Sequence, residues 1–587
     1  MPARGRAAWA GVELIARARS WAAQDPDPAD RAEIEALVGA ARAGDAAAEA
    51  ELADRFTGCL TFGTAGLRGP LRAGPNGMNH AVVRRAAAGL ATWLTAAGAR
   101  GTARVGEGTG PPAVVIGFDA RRRSDAFALD SARVFAGAGL RALVLPGPLP
   151  TPVLAFAVRR LGAAAGVMVT ASHNPATDNG YKVYLGGPAG APASGAQLVA
   201  PADAQIEAAI AAAPPPMAIP LADTWTRLGD DVVAAYVTEA AATLAPATAP
   251  AGLRIAYTPL HGVGLGVLRR VFAAAGLPEP AAVAEQAEPD PDFPTAPFPN
   301  PEEPGAMDRV LALGEAIGAD VVLANDPDAD RLAVAVGRRV LTGDELGLLL
   351  ADEVLRRAPG PVATTVVSST ALRALAARRG VGCSETLTGF KWIMRADPAL
   401  VFGYEEALGY ATRPDLVRDK DGLTAAVAIA RIAAAEAARG RGLLDRLDDL
   451  ARELGVAATE QVSLRVDDLA ASTALLRRLR ADPPDEIAGL PVAAVRDLLA
   501  PTGADERLPR SDVLIFSLAG GARAVVRPSG TEPKLKIYLE ATEPVSADGD
   551  LASARARSAE RLAGLVRWAR SLGQTAGRPP SPTPPAP

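Results

Sequence analysis

The stretch AVVIGFDARRRSDAFALDSARVFAGAGLRALVL, residues 113–145, sets the architecture. Ala113–Phe118 is a short apolar run ending at Asp119, Ser124–Ala138 has helical texture, and Arg141–Leu145 is apolar again. Strand, helix and strand in such close succession make a βαβ unit with parallel strands, because the helix returns the chain to the sheet's starting edge. The rhythm recurs at Arg254–Tyr257, Asp320–Leu323 and Pro361–Val367, each followed by a loop and helical texture, so the chain reads as successive α/β units. One lookalike falls inside the quoted stretch. Gly137-Ala-Gly139-Leu-Arg-Ala142 fits the dinucleotide pattern, but it follows a helix and enters a strand, the reverse of what that motif needs. It reads as a helix C-terminus.

Residues 7–55 read as helices, with Asp27-Pro28 as cap and first turn of the segment containing Glu33–Ala41. Composition breaks at Ala211–Ile219 and Ala457–Ser463 look like domain junctions, and Pro289–Pro304 like a structured Pro-rich loop. A chain of 587 residues with 49% hydrophobic and 22% charged residues can bury several cores. Its net charge of −5 argues against a broad nucleic-acid surface, so an anionic ligand must find local positive clusters. Cys59 and Cys383 are the only cysteines and match no metal spacing, as expected of a reducing compartment. Charged residues interrupt any signal-peptide core, and no apolar run reaches the roughly 18 residues of a membrane span. A cytoplasmic protein is expected.

Of 61 Lys and Arg residues only five are lysine, and Lys182, Lys391, Lys420, Lys534 and Lys536 all lie in short loop motifs. Arginine substitutes for lysine at little cost except where a compact ammonium is needed, so these positions mark chemistry. Four loops carry it. In Thr170-Ala-Ser172-His173-Asn174-Pro175, the run Ala165–Val169 delivers Ser172 at a strand end, with Lys182 following. Without a triad partner this serine is a poor acyl nucleophile but a serviceable phosphoryl carrier, since that chemistry depends on positioning and charge neutralisation. Asp326-Pro-Asp328-Ala-Asp330-Arg331 groups three carboxylates that need a cation; the EF-hand pattern fails at Arg331 and Gly337, and all-oxygen ligation favours Mg²⁺. Thr388-Gly389-Phe390-Lys391 is grouped with Gly403-Tyr404-Glu405-Glu406, whose adjacent glutamates can accept from sugar hydroxyls, and Arg418-Asp419-Lys420-Asp421-Gly422 precedes an Ala-rich helix that Asp421 can cap. Arg527-Pro-Ser529-Gly530-Thr531 is a phosphate cradle: an arginine fork, two hydroxyls, and a glycine that lets backbone N–H groups approach an anion.

In this order the four loops resemble the α-D-phosphohexomutase superfamily of phosphoglucomutases and phosphomannomutases, from Thr61 and Arg68 to about Tyr538. The resemblance implies three similar mixed α/β domains and a smaller C-terminal α+β domain around a central cleft. It implies Ser172 as the phosphoserine, and Asp326, Asp328, Asp330 and a phosphoserine oxygen as the Mg²⁺ ligands. Arg68, His173, Lys182 and Lys420 become catalytic candidates. Thr388, Gly389, Lys391, Glu405, Glu406 and Arg331 are expected to bind sugar phosphate, and Arg527, Ser529, Gly530 and Thr531 its non-reacting phosphate. The expected reaction exchanges sugar 1- and 6-phosphates, of glucose and/or mannose, through a sugar 1,6-bisphosphate. The expected partners are small-molecule sugar phosphates, with neither nucleic acid nor membrane, and the protein is expected to be a monomer or homodimer.

Two positions depart from the pattern. Ala407 replaces a serine that grips the sugar in many members, and Gly77 stands where arginine is frequent. The E-E-A-x-G-Y and D-K-D-G runs also fit the phosphoglucomutase-2-like branch, which includes pentose-phosphate mutases, so a phosphopentomutase is the alternative. A metal-dependent sugar phosphatase and a non-catalytic sugar-phosphate sensor are further alternatives. The expected division is an N-terminal helical extension (1–60), four domains (61–212, 220–338, 339–456, 457–574) and a disordered Pro-rich tail (575–587).

Overall fold

The computed structural model describes residues 3–61, 66–99, 110–187, 194–245, 252–465, 469–503, 507–529, 534–546 and 550–576. The chain opens with helices α1 (Ala3–Ala22), α2 (Pro28–Arg42) and α3 (Ala46–Phe56). Asp27 caps α2 as its Asp-Pro pair predicts, accepting from Ala29 N at 2.8 Å, and Asp45 caps α3 through Ala47 N at 2.9 Å. Ile34, Val38, Leu52 and Phe56 close a small core between these helices and Ala73.

The first α/β unit contains β1 (Leu67–Pro70), β2 (Ala113–Phe118), β3 (Arg141–Pro148), β4 (Ala165–Val169), β5 (Asp178–Leu185), β6 (Ala196–Gln197) and β7 (Thr226–Arg227). Its sheet runs β1-β5-β4-β2-β3-β7, with β6 alongside β5. Strands β2 and β3 are parallel, as the quoted stretch predicts, β4 and β7 extend the parallel set, and β5 and β1 add an antiparallel edge. Helices cover both faces, so β2 is buried throughout: Val114 and Ile116 join a core with Phe127, while Val115 joins the opposite one with Leu154. Gly137 ends a helix and the chain then enters β3, so the dinucleotide lookalike is indeed a helix end.

The second sheet, β12-β11-β10-β8-β9, uses β8 (Ile255–Thr258), β9 (Ala281–Ala282), β10 (Val321–Ala324), β11 (Ala333–Val336) and β12 (Arg339–Val340). The third, β14-β13-β15-β16, uses β13 (Val362–Thr365), β14 (Cys383–Thr386), β15 (Phe402–Glu405) and β16 (Gly409–Ala411). The last unit differs in kind. Strands β17 (Val456–Arg465), β18 (Glu486–Ile487), β19 (Leu490–Asp497), β20 (Leu514–Leu518), β21 (Ala522–Pro528) and β22 (Lys534–Glu543) pair antiparallel in the order β17-β22-β21-β20-β19-β18. The helices Leu469–Ala481 and Leu551–Ala576 pack on it. Three similar α/β units and a smaller C-terminal α+β unit are therefore the architecture.

Composition misplaces several seams. The chain does not leave the first unit at Ala211–Ile219. It turns back along it, with Ala222 N donating to Arg133 O at 3.0 Å, so that β7 becomes the edge of the first sheet. Arg339–Val340 completes the second sheet, not the third. Ala457–Ser463 is no linker but the middle of β17, and the final helix takes in Thr575 and Ala576. The remainder of the Pro-rich tail, 577–587, lies outside the described residues.

Candidate active site

Strand β4 ends at Val169, and Ser172 follows with φ 53°, a left-handed conformation that a serine adopts only where its surroundings hold it. The holding groups are explicit. Thr170 Oγ1 accepts from Ser172 N at 2.9 Å and donates to Asp119 Oδ2 at 2.6 Å. The buried Arg121 guanidinium donates to the carbonyls of Ser172 and Asn174 (2.6 Å each), Pro175 (2.8 Å) and Asp178 (3.2 Å). Arg68, on β1, donates to Asn174 Oδ1 at 2.8 Å. The loop is fixed from below, leaving the serine hydroxyl to meet the second unit.

That unit supplies a turn directly after β10. Asp326, Asp328 and Asp330 are fully buried, and a ligand oxygen from each lies within 4.8 Å of the others. Ser172 Oγ donates to Asp326 Oδ2 at 2.6 Å. Lys182, on β5, donates to Asp328 Oδ2 at 2.7 Å and Asp330 Oδ2 at 2.9 Å, and Thr151 Oγ1 donates to Asp328 Oδ2 at 2.6 Å. Lys420 lies 3.4 Å from Asp330 Oδ2. Burial and then the neighbouring carboxylates hold Asp326 well above the usual carboxylate range. For Asp328 burial acts the same way, but Lys182, joined by hydrogen bonds from Thr151 and Asp326, outweighs it and keeps the group ionised. Burial would lower the Lys182 ammonium, yet Asp328 and Asp330 raise it. Asp328 Oδ1 and Asp330 Oδ1 are buried with no hydrogen-bond partner, an expensive state that a cation held by oxygen donors relieves. The residues fit such an ion.

The third unit closes against this turn through the helix Gly422–Ala437, capped by Asp421 as expected, whose Oδ1 accepts from Leu423 N and Thr424 N at 3.0 Å each. A Cβ at Gly422 would stand 2.4 Å from Arg331 O, so only glycine allows this approach. Glu405, the last residue of β15, lies 4.0 Å from Lys420 Nζ; burial pushes its carboxyl up to about 7, with Lys420 opposing. Glu406 behaves differently, accepting from Ser368 Oγ at 2.8 Å and Thr365 Oγ1 at 3.1 Å. Of the adjacent glutamates, Glu405 keeps an acceptor facing Lys420, while Glu406 is tied into its own unit.

His173 stands beside Ser172 with Nδ1 unpartnered, and burial, then Arg331 and Arg68, push its pKa well below the usual value, so it is neutral. Arg331 donates its N–H to Asp326 Oδ1 at 3.0 Å and its Nη1 to Glu302 at 3.4 Å. The Thr388-Gly389-Phe390-Lys391 turn borders Lys420, whose Nζ lies 5.7 Å over the Phe390 ring. Lys391 itself turns to the Trp392 ring at 5.9 Å, and burial lowers its ammonium, against the pull of Asp203 in the first unit. In the last unit Arg527 pairs in register with Lys536, and Ser529 N donates to Lys534 O at 2.8 Å. Gly530 and Thr531 lie outside the described residues.

Two contributors were not singled out from sequence, Arg121 and Thr151, and Lys536 was marked by lysine scarcity without a role. Burial and then Arg527 lower the Lys536 ammonium, while Glu406 and Glu302 act on it in the opposite sense. Arg121 had a legible signal, the Asp119-x-Arg121 step after an apolar strand. Thr151 had none.

Three units meeting around a buried serine, an aspartate turn and a set of cations, with a fourth docked on the third, define a phosphotransferase of the phosphosugar type. The comparisons agree. Models of phosphoglucomutase/phosphomannomutase α/β/α domains I, II and III match residues 60–214, 234–339 and 342–454, and the model of the C-terminal domain matches 464–558. The chain belongs to the phosphoglucomutase/phosphomannomutase family and is an intramolecular phosphotransferase. It is 44% identical over 489 residues to the "Probable phosphomannomutase" of Haemophilus influenzae, covering 81% of this chain and 96% of that one. With the "Phosphopentomutase" of Homo sapiens it shares 33% identity over 557 residues, covering 84% and 87%. The solved structure of a "putative phosphomannomutase" from Thermus thermophilus superposes with a TM-score of 0.67 at 25% identity, covering 88% and 99%. Among the described residues no helix is long and apolar enough to cross a membrane.

Proposed function

We propose that the enzyme interconverts sugar 1-phosphates and 6-phosphates, of glucose and/or mannose, with Ser172 as the phosphoryl carrier and a sugar 1,6-bisphosphate as intermediate. The observation that carries this is Ser172 Oγ at 2.6 Å from Asp326, with Lys182 bridging the other two aspartates. Phospho-Ser172 gives its phosphoryl group to the free hydroxyl of the bound monophosphate. The bisphosphate then turns end for end and returns its other phosphate to Ser172. Asp326, Asp328 and Asp330 would hold Mg²⁺, which offsets charge on the phosphoryl group during transfer. Lys182 lies within hydrogen-bond distance of two carboxylates, an arrangement that suits charge neutralisation rather than proton abstraction. Arg68 fixes the serine loop through Asn174, His173 stays neutral beside the hydroxyl, and Lys420 carries charge between Asp330 and Glu405. Glu405 accepts from sugar hydroxyls. Arg527, Ser529 and Lys536, with Gly530 and Thr531, receive the phosphate that is not reacting. A cytoplasmic location goes with this substrate class.

The phosphopentomutase relatives, together with Ala407, carry a second reading in which the substrate is a pentose phosphate. The test is a panel of glucose, mannose and ribose 1-phosphates assayed with wild type and Ser172→Ala. Isomer exchange by wild type, abolished in the variant, is expected. Exchange by the variant overturns the phosphoserine role, and free phosphate without exchange identifies a phosphatase.

A further inference from the structure

We propose that the N-terminal helices position the catalytic serine, acting chiefly through Arg123. The inference rests on the phosphoserine reading above. Arg123 lies in the short segment between β2 and the helix Ser124–Gly137, and its φ of 65° puts a bulky residue in the left-handed region. Such a conformation is unfavourable and persists where neighbours enforce it. The neighbours here come from α2. Arg123 Nη1 donates to Asp30 Oδ1 at 3.0 Å, Nη2 donates to Asp30 Oδ2 at 3.3 Å, and Nη2 also pairs with Asp27.

The clamped segment is the one that grips the serine loop. Arg121, two residues earlier, holds the carbonyls of residues 172, 174, 175 and 178. Asp119 accepts from Arg121 N at 3.0 Å and from Ser124 Oγ at 2.7 Å, and Asn179 Nδ2 donates to Arg122 O at 2.9 Å and Ser124 Oγ at 3.0 Å. Residues on both sides of Arg123 are thus fastened to the serine loop, while its own side chain is fastened to α2. The helices reach the loop by a second route as well. Glu33 accepts from Ala73 N at 3.3 Å and Asp54 pairs with Arg72 at 2.6 Å, just after β1, the strand that carries Arg68 to Asn174. Both routes converge on the loop that presents the hydroxyl.

The test uses the full-length protein: Asp27→Ala/Asp30→Ala, Arg123→Ala, Arg123→Lys, and Glu35→Ala on the exposed face of α2 as control. Turnover is measured at a temperature where every variant is folded, and amide exchange is followed over residues 172–179 and over β20–β22. Loosening the nucleophile without touching substrate groups is expected to lower kcat about 10-fold or more and leave KM within about 2-fold. Exchange over 172–179 is expected to accelerate while β20–β22 stays as in wild type. Arg123→Lys, which keeps a cation for the two aspartates, is expected to recover most of the loss, and Glu35→Ala to match wild type. A lower melting temperature with kcat and loop exchange both unchanged overturns the proposal, leaving the helices a merely stabilising role. A wild-type enzyme that exchanges no isomers refutes the mutase reading instead, and the exchange data still report on the clamp.

Discussion

Ser172 and Asp326 belong to different units and different sheets, yet the serine hydroxyl donates to the aspartate at 2.6 Å. The contact exists because β4 and β10 each end in a turn with a left-handed residue, Ser172 at φ 53° and Ala329 at φ 53°, and the two turns face each other. Asp326→Asn keeps a group able to meet both the serine and Arg331 N, so the fold should survive. It removes one of three charges at the proposed ion, and kcat should fall by about 100-fold or more. Initial rates at saturating sugar phosphate check this; a loss under about 3-fold would place Asp326 outside the transfer step.

The unpartnered oxygens of Asp328 and Asp330 make a second prediction. An ion binding the native state alone raises stability by about 2.7 kcal/mol at 100 times its dissociation constant. Titrating Mg²⁺ into chelator-treated protein should therefore raise the melting temperature, and activity should return in parallel. Asp330→Asn should abolish both responses. A stabilisation retained in that variant would locate the ion elsewhere.

Glu405 sets a pH dependence. Burial holds its carboxyl up at about 7, against an ordinary value of 4.5. Between these values the folded protein binds more protons than the unfolded chain, so this group's contribution to stability is greatest at the acid end and declines as pH rises through about 7. In the proposed role as sugar acceptor the sign is opposite, since the ionised carboxylate is the stronger acceptor and offers both oxygens. Accordingly kcat/KM should rise with pH through about 7, and Glu405→Gln should flatten that limb while lowering its plateau. A profile unchanged in the variant would assign the ionisation to another group.

Much of this was legible in the residues because its chemistry is local. The Asp326-x-Asp-x-Asp330 turn concentrates charge within a few positions, and lysine is so scarce that Lys182 and Lys420 stand out. The βαβ rhythm at 113–145 gave the parallel sheet for the same reason, an apolar strand and a helix in immediate succession. What stayed hidden depends on distance. Arg121 grips carbonyls more than 50 residues away, as its 51-residue separation from Ser172 shows, and a carbonyl leaves no trace in sequence. Thr151 meets Asp328 across 177 positions. The edge strand Thr226–Arg227 hid behind a Pro-rich run, which marks a change of direction but not which sheet the chain next joins.

The fourth unit is tied to the turn that holds Glu406 through a chain of contacts, and this gives the last prediction. Arg523, on β21, donates to Val366 O at 3.2 Å and also to Ser368 O, and pairs with Glu540 at 3.1 Å. Glu540 in turn accepts from Ser369 Oγ at 2.6 Å and Thr370 N at 2.9 Å. Ser368 and Thr365, in and beside the same turn, hold Glu406. With Arg527 in its proposed role, a shift of the fourth unit on phosphate binding would pull on the turn that fixes Glu406 and so couple phosphate binding to sugar binding. Arg523→Ala leaves the buried Glu540 without its cation, at a cost of about 3–5 kcal/mol in stability. In the protein that remains folded, KM for the sugar phosphate should rise about 10-fold while kcat changes less, because the phosphate-bearing unit docks less often. Ser368→Ala should reproduce part of the KM rise with little loss of stability, since it removes one hydrogen bond to Glu406 and leaves the Arg523–Glu540 pair intact. Measuring the two variants side by side separates coupling from simple destabilisation: a KM rise in Arg523→Ala alone would mean that the turn does not transmit the motion.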